Sequence, residues 1–96
     1  MKRENLEEIK KRVVPILKKA DVKKAALFGS YVRGDNTLKS DIDILVDLPR
    51  GKTLLDLIEL EDNLEEKLKK KVDVVTYNSI YPPLKSYILQ YQYRVL

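Results

Sequence analysis

Apolar residues recur at three- and four-residue intervals in the first stretch of the chain, at Leu6, Ile9, Val13, Ile16, Leu17 and Ala20, with charges between them. That spacing predicts a helix with one apolar stripe, and Asn5 with Glu8 three residues on forms a capping pair. Pro15 lies inside the stripe and has no amide hydrogen, so a kink or an end and restart is expected near Val13 and Val14. The uncharged run from Ala25 to Phe28, closed by Gly29 and Ser30, predicts a buried strand entering a turn. Residues 31–40 are polar and turn-rich, and read as one helical turn followed by a loop. From Asp41 to Leu48 the pattern alternates: Asp41, Asp43 and Leu45 share one face, Ile42, Ile44 and Val46 the other. Pro49, Arg50 and Gly51 end that strand. Thr53 then caps a second helix, with Leu54, Leu57, Ile58, Leu60, Leu64 and Leu68 expected on its buried side and Glu61, Glu65, Glu66, Lys69 and Lys70 outside. Lys71 to Thr76 is strand-like again, and Pro82 and Pro83 open a last helix carrying Leu84, Tyr87, Ile88 and Tyr91. The order helix, strand, strand, helix, strand, helix predicts an α/β (α+β) fold with a single small sheet flanked by helices.

A length of 96 residues suits one domain, so residues 1–96 are expected to form a single unit. No run of 18 uncharged apolar residues exists to span a membrane, and Met1 to Ala20 lacks the apolar core of a leader, so the expected location is the cytoplasm. The composition matters most for what is missing: the chain has no Cys and no His. Thiol nucleophiles, Ser-His-Asp triads and ordinary zinc centres are therefore excluded. Chemistry must run on carboxylates, hydroxyls, Lys, Arg, backbone amides or hard cations such as magnesium. The net charge of +4 is concentrated in residues 1–24, where nine Lys and Arg face four acids. A basic first helix could meet RNA or DNA, although lysines on a solvated helix face are the plainer reading.

Asp41 and Asp43 project from one strand face, about 7 Å apart at about 3.3 Å per residue. Like charges so placed repel, and with no Lys or Arg inside the strand the natural counter-charge is a divalent metal. Asp73 joins them if its strand lies alongside. Carboxylates grouped in this way hold two magnesium ions about 3.5–4 Å apart in phosphate-transfer sites. A phosphate would sit at Gly29 and Ser30, where glycine permits close backbone approach and the Ser30 hydroxyl can donate, with Arg33 one turn on. The P-loop pattern is absent. The plainer alternatives are a solvated strand face for Asp41 and Asp43, a turn hydroxyl for Ser30 and a surface ion pair for Arg33.

The string Leu27-Phe28-Gly29-Ser30-Tyr31-Val32-Arg33-Gly34, followed by Ser40-Asp41-Ile42-Asp43-Ile44-Leu45-Val46, resembles the nucleotidyltransferase signature of the DNA polymerase beta superfamily. With the length and the Tyr81-Pro82-Pro83-Leu84 segment, the chain is similar to the minimal nucleotidyltransferases (MNT), usually encoded beside a HEPN-domain partner. Val32 stands where relatives usually carry Ala. The resemblance implies a palm-like fold and metal-dependent transfer of AMP from ATP, with pyrophosphate leaving. It also implies that Gly29 and Ser30 bind the triphosphate, that Asp41 and Asp43 hold two magnesium ions, and that Asp73 ligates the ion next to the attacking hydroxyl. In some antitoxin members the acceptor is a tyrosine of the HEPN toxin.

Five of the six tyrosines, Tyr77, Tyr81, Tyr87, Tyr91 and Tyr93, fall in the last twenty residues. They read as core or rim residues, or alternatively as an interface. Two other functions remain open on the sequence: a binding module that masks a toxin without catalysis, and nucleotidyl transfer to a small molecule or an RNA end through the basic first helix.

Overall fold

The computed structural model describes residues 6–96, so the Asn5 cap lies outside the described residues. The elements in chain order are α1 (Leu6–Lys19), β1 (Lys24–Phe28), α2 (Ser30–Arg33), β2 (Ile42–Asp47), α3 (Leu54–Leu68), β3 (Val72–Thr76), a 3-10 turn (Tyr77–Ser79), α4 (Pro82–Gln90) and β4 (Tyr93–Arg94). Four strands make one sheet in the order β3-β2-β1-β4. β1 is antiparallel to both β2 and β4, while β2 and β3 run parallel with α3 as their crossover. The mixed sheet flanked by helices is the α/β class expected from the element order. Among the described residues, no helix is long and apolar enough to cross a membrane.

The apolar stripe of α1 behaves as its spacing requires, burying Ile9, Val13 and Leu17. These side chains meet Ala25 and Leu27 of β1, Ile42, Ile44 and Val46 of β2, Leu60 and Leu64 of α3, and Val72 and Val74 of β3 in a single core. Of the kink or end and restart expected near Val13 and Val14, the end and restart does not occur, because α1 runs unbroken from Leu6 to Lys19. Pro15 and Lys11 are both exposed, so water can take the Lys11 carbonyl that the proline ring deprives of its i+4 donor.

α3 starts at a capping box. The Thr53 amide donates to the Asp56 carboxylate at 2.8 Å, while the Asp56 amide donates to the Thr53 hydroxyl. Two expectations for this helix fail. Leu54 and Ile58 are 70% and 45% exposed, because the packed stripe begins at Leu57, a turn into the helix, and Ile58 lies beside it. Glu61 and Glu65 are not simply solvated either. Their carboxylates accept hydrogen bonds from the Val74 amide at 3.1 Å and the Val72 amide at 3.0 Å, respectively. β3 is an edge strand whose outward amides have no neighbouring strand, and these two acids meet that need.

β4 has no counterpart in the sequence reading; its two residues are set by pairing with Ala26 and Leu27, a tertiary cause that leaves no local pattern. α4 also departs from the core reading of the C-terminal tyrosines: it has the expected helical spacing but no buried residue. Tyr81, Tyr87 and Tyr91 are exposed, and Tyr77 and Tyr93 are only partly buried.

Candidate active site

At the end of β1 the chain turns on Gly29, whose φ is 81°, a backbone conformation readily adopted only by glycine. Its carbonyl accepts from the Val32 amide at 3.1 Å and the Arg33 amide at 3.0 Å, which winds α2 directly off the strand. A Cβ on Gly29 would run into the Asp43 carboxylate. The glycine thus serves twice, for the backbone turn and for the seat of that carboxylate.

Sheet register then decides which acids meet. Phe28 of β1 lies opposite Asp43 of β2, and Asp43 lies opposite Asp73 of β3, so the three form one row across neighbouring strands. Asp41 stands just before β2, on the same side by alternation, while Ile42 and Ile44 point into the core. The connecting loop is tied down at two points. The Thr37 amide donates to the Ser40 hydroxyl at 2.8 Å, and the Lys70 ammonium donates to the Leu38 carbonyl at 2.9 Å.

This crowding shows in the electrostatics. Burial, and then the negative charges of Asp73 and Asp41, push the Asp43 carboxyl up from 3.8 to about 6, against a smaller opposing effect of Arg33. At Asp43 the two negative neighbours thus outweigh the positive charge of Arg33. Oxygen ligands only, at a site short of a cation, fit a hard divalent ion such as magnesium. Among the described residues, however, no group of three acidic side chains is already drawn close enough to enclose an ion.

Gly29, Ser30, Arg33, Asp41 and Asp43 line one cleft of about 500 Å³. Arg33 also pairs with Asp35 at 3.3 Å on the exposed side. Asp73 is exposed and does not line the cleft; it acts on it through its field at Asp43. Sequence reasoning misses Ser40 as a wall of this cleft, and it misses the opposite wall, formed by Leu84, Tyr87, Ile88 and Tyr91 of the α4 segment. The signal for that wall is the helical spacing of those four residues, which fits a core face equally well. A larger cavity of about 790 Å³ between α1 and α3 mixes Lys19, Lys52 and Lys67 with Asp56, Glu59 and Glu66 and contains none of the signature residues.

Comparison with known proteins bears on the family and the fold. Residues 6–95 match the family model for the nucleotidyltransferase domain. A chain of Methanocaldococcus jannaschii named as a protein adenylyltransferase is 56% identical over 85 residues, covering 88% of this chain and 91% of that one. A solved structure named as a minimal nucleotidyltransferase superposes with a TM-score of 0.81 at 32% identity, covering 96% of this chain and 94% of that one. A toxin-antitoxin crystal structure with AMP-PNP gives a TM-score of 0.80 at 25% identity, covering 91% of this chain and 72% of that one. A family match over residues 6–95, with a relative and a solved minimal nucleotidyltransferase that align over more than nine-tenths of their own lengths, places the chain in the nucleotidyltransferase domain family, among its minimal members.

Proposed function

We propose that the chain is a cytoplasmic protein adenylyltransferase acting as the antitoxin of a toxin-antitoxin pair, moving AMP from ATP to a tyrosine hydroxyl of a HEPN-domain partner. The observation that carries this reading is the Asp43 carboxylate lying against the Gly29 backbone, with Asp41 and Asp73 as its charged neighbours. In this reading the turn at Gly29 takes the phosphates, beside carboxylates whose negative charges repel one another and call for cations. The names of similar proteins, a protein adenylyltransferase and a toxin-antitoxin complex with an ATP analogue, point the same way.

In this reading Gly29 and Ser30 hold the triphosphate, with the Ser30 hydroxyl and the Arg33 guanidinium as donors to its oxygens. Asp41 and Asp43 would hold two magnesium ions, with Asp73, beside Asp43 in the next strand but outside the cleft, as the third carboxylate of the proposed set. Magnesium supplies charge neutralisation at the phosphates and makes the acceptor hydroxyl easier to deprotonate. The acceptor oxygen bonds to the α-phosphorus in line with the departing pyrophosphate, and its proton passes to solvent. The protein's own contribution is position: the turn fixes the phosphates and the strand row fixes the carboxylates.

The test is to incubate the chain, with the partner that co-purifies from its own cells, with ATP labelled at the α-phosphate. Label should appear on a partner tyrosine only with magnesium and with Asp43 intact. A stable complex that never takes up label under any of these conditions would refute transfer and leave a masking role.

A further inference from the structure

The α4 segment has four apolar or aromatic side chains on one face, at the i, i+3, i+4 and i+7 positions, yet the helix buries nothing in the core. Leu84, Tyr87 and Tyr91 remain 50%, 49% and 46% exposed. The Tyr87 and Tyr91 rings stand 5.0 Å apart between centroids at 52°, a mutually supported aromatic pair. These side chains line the same cleft as Gly29, Ser30, Asp41 and Asp43. One cleft is thus lined both by polar groups, those of Ser30, Arg33, Asp41 and Asp43, and by apolar and aromatic ones. Its volume is about 500 Å³. Clefts that take small molecules run from roughly 300 Å³ to roughly 1000 Å³, so a nucleotide is within its capacity.

We infer that the Tyr87–Tyr91 face of α4 is the nucleobase platform: the ring of the bound nucleotide stacks on it while the phosphates occupy the Gly29–Ser30 turn. The inference rests on the nucleotide-transfer reading above and adds to it the residues that grip the base. A triphosphate anchored at the turn carries its nucleoside along the cleft, and the cleft's other wall is α4. Aromatic rings accept any base because every base has a π-face. Apart from the tyrosine hydroxyls, Leu84, Tyr87, Ile88 and Tyr91 offer no polar side-chain group to read a base edge. The platform therefore distinguishes ring area more than base identity. Purines bind alike, and pyrimidines bind more weakly.

The test compares ATP with inorganic tripolyphosphate, both with magnesium, by titration calorimetry on the full chain and on a Tyr87→Ala, Tyr91→Ala variant. Both rings are about half exposed, so the variant is expected to fold, which far-UV circular dichroism checks, and a Tyr87→Phe, Tyr91→Phe variant keeps the rings. The Ala variant should weaken ATP about tenfold or more while leaving tripolyphosphate unchanged, and the Phe variant should match the parent. The chain has no Trp, so quenching of tyrosine emission by ATP but not by tripolyphosphate gives an independent readout. GTP should bind within about threefold of ATP, and UTP more weakly than either. Unchanged ATP affinity in the Ala variant, or UTP binding as tight as ATP, overturns the platform while the phosphate site stands. If the parent chain binds neither ATP nor tripolyphosphate, the nucleotide reading itself fails.

Discussion

Replacing Asp43 with Asn should stabilise the metal-free protein, although it removes a residue on which the proposed chemistry depends. The carboxyl is raised from 3.8 to about 6, first by burial and then by Asp73 and Asp41. At about 1.4 kcal/mol per pH unit, the full shift corresponds to about 3 kcal/mol of cost to the charged form. Asp43 is only partly buried. Solvent screening therefore reduces the expected gain to about 1–2 kcal/mol. The folded state holds this proton more tightly than the unfolded state does. Its contribution is complete below pH 3.8 and is lost as pH rises through about 6. Asn has no such loss.

Urea denaturation of parent and Asp43→Asn in the presence of a chelator, at pH 4.5, 6 and 7.5, reads the effect directly. The stability difference should favour the variant at pH 7.5 and shrink as pH falls. Magnesium added at pH 7.5 should stabilise the parent more than the variant, because only the parent keeps the full charge. A variant that is no more stable than the parent at pH 7.5, or a difference independent of pH, would refute the account of a carboxylate cluster short of positive charge.

Gly29→Ala places a side chain in the left-handed region and against the Asp43 carboxylate. A loss of about 1–3 kcal/mol is expected in urea melts, with loss of nucleotide transfer. Glu61→Ala and Glu65→Ala each strip an acceptor from a β3 amide. Each should cost about 1–2 kcal/mol, with faster hydrogen exchange at Val74 and Val72 respectively. Pro15→Ala restores a donor inside α1, where Pro is about 3 kcal/mol less favourable than Ala, and should raise thermal stability. An unchanged or lower melting temperature in that variant would contradict the continuous helix.

The legibility of this chain follows the range of the interactions involved. The strand from Asp41 onward could be read because alternation is local, and the Gly29-Ser30 turn because glycine and a following polar run mark it. The neighbourhood of Asp43 and Asp73 could only be stated conditionally, since it depends on β3 choosing β2 as its partner. The same kind of non-local contact misleads the reading of Glu61 and Glu65, which look like solvated helix acids until an edge strand lies beside them. For α4 the spacing revealed the face but not what it faces. An amphipathic helix can cover a core or wall a cleft with the same pattern, and here it walls the cleft.

The acids of α3 on the β3 amides also restrict how the molecule can be approached. A free strand edge invites another extended segment to add to the sheet, a common way for peptides and copies of a chain to associate. Here that side is occupied from within, by side chains of the same fold, and the opposite side ends in the two-residue β4. Along β3, a macromolecule meets the carboxylates of Glu61 and Glu65 rather than free amides at Val74 and Val72. Substitutions on the solvent faces of the helices can therefore change the surface without touching the strand row that carries Asp43 and Asp73.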